Sequence, residues 1–273
     1  MSFAEELRLG GFAVGIEITP PQRPLPRVLL RRARLLGEAA QAVNVIQRPG
    51  RQSSLDASIF LKSRGIEPVW HLVTRGRSRA EILGDIDRAR EGGITHVLCI
   101  RGDHEAGDLP DTPSLREVTA AVVERIPGAY VGATLNQYAP DREAVLRNAL
   151  PKCRAGAAYV QTQPVFDLET LRPLAESLRS ASPATKVIAM AMPLLTPEAG
   201  ARIEARLGVA LPGALRAAIA AGPEAAWSAF DATIASLVAS PLIDGVAIMT
   251  FETDPPAEVG PRIVAALRAA RQQ

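Results

Sequence analysis

Eight short apolar runs, each followed by residues with helical spacing, constrain this chain more than any other feature. They are residues 11–19, 42–46, 67–74, 95–100, 130–135, 159–165, 185–192 and 244–251. Nearly every position in them is apolar, as expected of strands buried on both faces of a parallel sheet. Helical segments are predicted at 25–40, 53–64, 78–90, 114–125, 141–154 and 168–180, then at 197–207, 212–221, 224–238 and 257–271. Ser78 with Glu81, and Ser114 with Glu117, form capping-box patterns, and Gly65, Gly92 and Gly156 follow helix ends. Alternation of this kind implies right-handed crossovers, and eight units imply closure. The expected fold is an α/β (β/α)8 TIM barrel, residues 1–273 as a single domain, with extra helices before the last strand. An open dinucleotide-binding sheet would carry Gly-x-Gly-x-x-Gly after its first strand; here Thr19-Pro20-Pro21-Gln22-Arg23-Pro24 stands there instead.

Composition removes several function classes. A net charge of +2 over 273 residues gives no basic footprint for nucleic acid. Cys99, Cys153 and three histidines without metal spacing predict two reduced thiols and no metal site. Residues 1–10 are polar and acidic, unlike a signal peptide, and no run of 18 apolar residues occurs. The expectation is a cytoplasmic protein without membrane or nucleic-acid partners.

Barrel enzymes place their chemistry at the C-terminal ends of the strands. Those ends present Glu17, then Gln47 and Arg48, then His71 and Thr74. Further round come Arg101-Gly102-Asp103-His104, Thr134 with Asn136 and Gln137, Gln161-Thr162-Gln163, and Thr250 with Glu252. Glu17 lies between Ile16 and Ile18. Desolvation there would raise its pKa and suit it to general acid catalysis. The competing reading is an acid paired with Arg48 or Arg101. Asp103 follows a glycine that lets backbone approach a ligand, or it is a simple turn aspartate. Gln161 and Gln163 are two apart and should share one face of their strand, with Thr162 on the other. His71, inside an apolar strand, reads first as a core histidine.

Six motifs, in order along residues 11–167, resemble the methylenetetrahydrofolate reductase family. Ile16-Glu17-Ile18-Thr19-Pro20-Pro21 is similar to its opening strand, and Pro68-Val69-Trp70-His71-Leu72-Val73-Thr74 to its Pro-His-Leu-Thr strand. Gly76 to Ile82 resembles the helix start that follows, and Ile100-Arg101-Gly102-Asp103 its Leu-Arg-Gly-Asp. Lys152 to Ala157 resembles its Lys-x-x-Ala-Gly-Ala, and Gln161 to Asp167 its Thr-Gln-x-x-Phe-Asp. The resemblance implies a barrel that binds FAD, takes hydride from NADH or NADPH and reduces 5,10-methylenetetrahydrofolate to 5-methyltetrahydrofolate. It implies catalytic roles for Glu17, Asp103 and Gln163: proton donor to N10, charge beside flavin and pterin, and hydrogen bond to the pterin or nicotinamide. It implies FAD contacts from His71, Arg101, Gly102, Asp103, Asn148 and Lys152, with Lys152 near the diphosphate. A folate or related pterin is the implied substrate, and a homo-oligomer or a partner in one-carbon metabolism the implied association.

The chain also departs from the family. Its Thr-Tyr-Gly-Ala after the second strand is replaced by Ile46-Gln47-Arg48-Pro49-Gly50. Its Tyr-Ala-Ser-Asp-Leu becomes Asp111-Thr112-Pro113-Ser114-Leu115, and its Ala-Tyr-Pro-Glu becomes Ala133-Thr134-Leu135-Asn136. After the last strand, Phe251-Glu252-Thr253 stands where a basic residue is usual. The first three changes alter flavin contacts and the last alters folate contacts. They leave an alternative expectation, a pterin- or folate-binding partner whose flavin-dependent activity is lost or altered.

Overall fold

The computed structural model describes residues 1–102 and 107–272. Asp103 therefore lies outside the described residues. Eight parallel strands close into a barrel in sequence order. They are β1 (Ala13–Ile18), β2 (Ala42–Val45), β3 (Pro68–Val73), β4 (His96–Ile100), β5 (Tyr130–Leu135), β6 (Ala157–Pro164), β7 (Lys186–Ala191) and β8 (Gly245–Met249). The helices are α1 (Phe3–Arg8), α2 (Pro26–Ala33), α3 (Ser54–Lys62), α4 (Arg79–Glu91), α5 (Leu115–Arg125), α6 (Arg142–Arg154), α7 (Leu168–Ala181), α8 (Pro197–Leu207), α9 (Gly213–Ala221), α10 (Pro223–Ala239) and α11 (Val259–Arg271). Each expected strand lies within two residues of its observed limits. The expected 25–40 helix is shorter, because α2 ends at Ala33 and a separate 3-10 turn spans Gly37–Ala39.

Strand alternation sorts side chains into two cores. Val14, Ile16 and Ile18 point outward into a cluster with Leu29 of α2 and Ile263 of α11, while Ala13 points inward. The inner cluster takes one residue from each strand: Ala13, Ala42, Val69, Leu98, Tyr130, Tyr159, Ile188 and Ala247. Phe3, Ala4 and Leu7 of α1 pack on that ring and close the N-terminal mouth. Phe3 meets Tyr159 edge-on at 5.9 Å, Tyr159 stacks on Tyr130 at 5.5 Å, and the Arg8 guanidinium lies 5.0 Å over Tyr130. Gly132 makes room for this stack, since a Cβ there would lie 2.2 Å from the Tyr159 ring.

The sequence reading contains no helix in residues 1–10. The structure has α1 there, started by a capping box in which Ser2 and Glu5 exchange hydrogen bonds. Six residues hold too little periodicity to announce a helix, which is stabilised instead by the ring it covers.

The extra helices lie where expected, between β7 and β8. α8 and α9 pack Ala199, Ile203 and Ile219 against Phe166, Met192 and Leu194 beyond the strand ends. α10 returns to the barrel wall, with Trp227, Phe230, Ile234 and Leu237 in the outer core beside α11.

Candidate active site

Three cavities ring the C-terminal mouth. The first, about 590 Å³, lies between the ends of β1 and β8 and α8, with Glu17 in its wall. The second, about 570 Å³, is lined by His71, Gly102 and the loop Gln47-Arg48-Pro49. The third, about 680 Å³, runs beside α5 and α6 and is lined by Arg101, Asn148 and Lys152. Ile46, Arg48 and Arg206 border both the first and the second cavity.

Glu17 pairs in register with Asn44 of β2 and Met249 of β8, and its inward-facing side chain is 8% exposed. Gln161 of β6 reaches across the barrel and donates from Nε2 to Glu17 Oε2 at 2.9 Å. Burial raises the Glu17 pKa to about 7, against the opposing pull of the Gln161 hydrogen bond and of the Arg48 and Arg206 charges. Arg101 pairs with Asp108, whereas the Arg48 charge acts on Glu17, so the carboxyl is a desolvated acid held by an amide with a guanidinium charge nearby.

His71 is buried, with Nε2 3.4 Å from Asn44 Oδ1. Burial lowers its pKa to about 3, so the imidazole is neutral throughout the working range. Gly102 has φ +97, and a Cβ there would press 2.6 Å from Val73 Cγ1. Only glycine fits this turn at the lip of the second cavity.

Lys152 reaches from the last turn of α6 into the third cavity. Its amine has no hydrogen-bond or ion-pair partner among the described residues, and burial lowers its pKa. Asn148 sits one turn earlier on the same helix and is exposed.

Gln163 behaves differently from its expected twin. The β6–β7 register shifts between Gln161 and Pro164. Gln137 locks the irregularity, donating to the Gln163 carbonyl at 2.9 Å and accepting from the Gln163 N–H at 3.1 Å. The buried Thr162 hydroxyl takes the Met190 N–H at 3.0 Å, so Thr162 faces away as expected. The Gln163 side chain is half-buried and makes no hydrogen bond among the described residues. It lines none of the three rim cavities.

The expected residues thus form separate groups: Glu17 with Gln161, His71 near Gly102, and Arg101 with Asn148 and Lys152. Asn44 was passed over as a site residue, and Gln137 was named only among the polar residues at the end of the fifth strand. Inward alternation from Ala42 would have pointed to Asn44, whereas nothing in the sequence marks Gln137 as the lock on β6. Arg202 and Arg206 of α8 were also missed, because their place in the first cavity depends on how α8 packs. Among the described residues, no cluster of metal-ligating side chains occurs, and no helix is long and apolar enough to cross a membrane.

Comparison with known proteins bears on the fold and the family. A curated relative, the probable methylenetetrahydrofolate reductase (NADPH) of Caenorhabditis elegans, is 28% identical over 159 residues, 55% of this chain. The match spans only 24% of that relative's length. Among solved structures, an uncharacterised Clostridium thermocellum protein that binds two copies of 5-methyl-5,6,7,8-tetrahydrofolic acid has a TM-score of 0.69. It is 11% identical, over 99% of both chains. Tryptophan synthase from M. tuberculosis has a TM-score of 0.58 at 12% identity, over 98% of this chain and 95% of that one. At these identities the two structures speak for the barrel alone. The sequence model of the methylenetetrahydrofolate reductase family matches residues 2–253, and the chain belongs to that family.

Proposed function

We propose that the chain reduces 5,10-methylenetetrahydrofolate to 5-methyltetrahydrofolate, using FAD with NADH or NADPH as reductant. The observation that carries this reading is Glu17, a carboxyl in a rim cavity whose pKa of about 7 leaves it partly protonated at neutral pH. Family membership supplies the substrate class.

In the substrate one methylene carbon bridges N5 and N10. Protonated Glu17 donates to N10, the bond from N10 to the methylene breaks, and an iminium remains at N5, ready to accept hydride. Gln161 keeps the carboxyl oriented and stabilises the carboxylate left behind. His71, neutral through burial, adds no competing proton source.

The residues present fit a flavin nucleotide. Lys152 offers a partly desolvated cation, without a partner among the described residues and suited to a diphosphate, and Arg101 and Asn148 line the same cavity. Gly102 supplies a side-chain-free turn next to it. Arg101, Asn148 and Lys152 would hold the nucleotide end, with His71 and Gly102 nearer the strand ends; Asp103 keeps the role that the resemblance implies. When bound, FAD supplies the two-electron hydride chemistry, and the chain supplies position and charge.

One observation favours a second reading. Gln47 accepts from Ser54 N–H at 2.9 Å, and Arg48 and Pro49 line the second cavity where the family carries Thr-Tyr-Gly-Ala. A chain so altered would suit a folate-binding partner without flavin turnover.

The visible spectrum of purified protein with added FAD, combined with NADH and NADPH oxidation with and without methylenetetrahydrofolate, separates the two readings. Flavin absorbance and folate-dependent turnover are expected. A colourless protein that binds folate without oxidising either nucleotide would favour the second reading. Glu17→Gln should abolish folate reduction and leave flavin reduction intact; unchanged folate turnover would remove Glu17 as the proton donor.

A further inference from the structure

Residues 46–52 begin with the stretch where the chain departs from its family, and both ends of this loop are tied to the chain leaving β1. Ile46 N–H donates to the Ile18 carbonyl at 3.0 Å, and Gln52 N–H to the Pro21 carbonyl at 2.9 Å. Between them Arg51 N–H closes a tight turn on the Arg48 carbonyl at 3.3 Å. Pro49 and Gly50 (φ +68) sit at its centre, the residue types a type II turn demands. Gln47 fixes the loop to α3 by accepting from Ser54 N–H at 2.9 Å. A loop pinned in this way has little freedom, and Arg48 within it is half-buried. Asn44 stands beside Glu17 in the β1–β2 register. Arg48, four positions further on, lines the cavity whose wall holds Glu17.

The other charges around that cavity are paired, screened or turned elsewhere. Arg31 and Arg32 of α2 pair with Asp254. Arg202 of α8 lies 5.9 Å over the Phe251 ring, and Arg206 is exposed to water and salt, which screen its field. Glu252, beyond β8, is exposed as well. His71 of β3 is neutral, and Gln161 of β6 brings an uncharged amide. Among the described residues, Arg48 is the charge that acts most strongly on Glu17, behind the Gln161 hydrogen bond and ahead of Arg206.

In the proposed reaction a proton passes from Glu17 to N10, and the electron pair of the bond from N10 to the methylene returns to N10. A carboxylate is left in a poorly solvated wall. Gln161 gives it one hydrogen bond. A half-buried guanidinium adds opposite charge where water is scarce, and there the attraction is stronger than across open solvent. The effect has two sides. Arg48 makes Glu17 a stronger acid, and it also makes Glu17 lose its proton earlier as pH rises.

We propose that Arg48 is a positioning residue for the proton transfer: held by the pinned turn, its guanidinium steadies the carboxylate that Glu17 becomes and so sets the alkaline limit of folate reduction. This rests on the folate reading above and adds the charge that governs its proton.

The test reads the proton directly and then the rate. Difference infrared spectroscopy of the protein as purified follows the carbonyl stretch of the protonated carboxyl, with Glu17→Gln as the blank. The wild-type midpoint is expected at about pH 7. Arg48→Gln should raise it by about one pH unit. Arg48→Lys should keep it close to the wild type, and Arg206→Gln should move it less than Arg48→Gln does. The alkaline limb of kcat/KM for methylenetetrahydrofolate should follow the same order. On the acid side Arg48→Gln should slow turnover about threefold, the share of a roughly tenfold weaker acid felt by a half-transferred proton.

An unmoved midpoint in Arg48→Gln overturns the proposal. So does a lysine variant, which keeps the charge, that shifts as far as the glutamine one. A raised KM for folate or dinucleotide with the midpoint unmoved would make Arg48 a ligand contact and overturns it too. A wild type that reduces no methylenetetrahydrofolate removes the folate reading, and the proposal with it, whatever the infrared midpoints do. A wild type active on folate, with midpoints that ignore Arg48, removes Arg48 alone.

Discussion

Glu17 is costly to fold around and useful for the same reason. In the unfolded chain its carboxyl ionises near 4.5, whereas in the barrel it does so near 7. Below pH 4.5 both states hold the proton and the group is neutral toward stability. Between those values the unfolded chain releases the proton and the folded one keeps it, so stability falls as pH rises. The loss levels off above pH 7, at about 3 kcal/mol. Glu17→Gln keeps the shape and removes the ionisation. It should raise the melting temperature at pH 8 relative to the wild type and leave it nearly unchanged at pH 4.5, as measured by calorimetry. Equal shifts at both pH values would mean that Glu17 is not desolvated as described. The prominence of Glu17 was legible in the sequence, as a carboxylate in an apolar strand. Its partner was not, since residues 17 and 161 meet only because β1 and β6 face each other across the barrel.

At the level of elements, α1 shows how a short segment gains order from its surroundings. Phe3 is 1% exposed and caps a ring built by all eight strands. Phe3→Ala should cost about 3–5 kcal/mol in denaturant unfolding, as truncation of a buried aromatic does. Tyr159 in the same cluster has a buried hydroxyl with no hydrogen-bond partner among the described residues. Tyr159→Phe removes an unsatisfied polar atom without altering packing, and should be neutral or stabilising by about 1 kcal/mol. A marked loss of stability in that variant would reveal a partner for the hydroxyl. The same contrast separates α8 from α1. Its span, 197–207, was legible in the sequence, and Thr196 caps it with Pro197 in the first turn, but its role as a cavity wall came from packing on Met192 and Leu194.

Over the whole molecule, the barrel closes where β1 meets β8, and a clasp secures that seam above the first cavity. Arg32 of α2, 8% exposed, donates to Asp254 beyond β8 and to the Thr19 carbonyl beyond β1 at 2.7 Å. Arg31 adds a second contact to Asp254, whose carboxyl is held at about 2, first by the Arg32 hydrogen bond. Asp254→Asn leaves a buried guanidinium short of its counter-ion. Because Asp254 is itself 41% exposed, the expected loss is moderate, about 2 kcal/mol. Thermal unfolding should show it, with weaker binding of the proposed folate substrate in the cavity that the clasp borders. An unchanged melting temperature would mean that the clasp carries no load.

The eight-fold repeat of buried strand and amphipathic helix was sufficient to specify the barrel, because the periodicities are local and each unit can bury its apolar face only against its neighbours. The motif strings were sufficient to indicate the family, since they fall at strand and helix ends. What tertiary structure alone decided is who meets whom at the mouth. The β6 irregularity separates Gln161 from Gln163, the α6 lysine reaches a cavity beside α5, and α8 brings two arginines toward a carboxyl almost two hundred positions away in the chain. Those meetings depend on register, bulges and packing between distant segments, which no local pattern records.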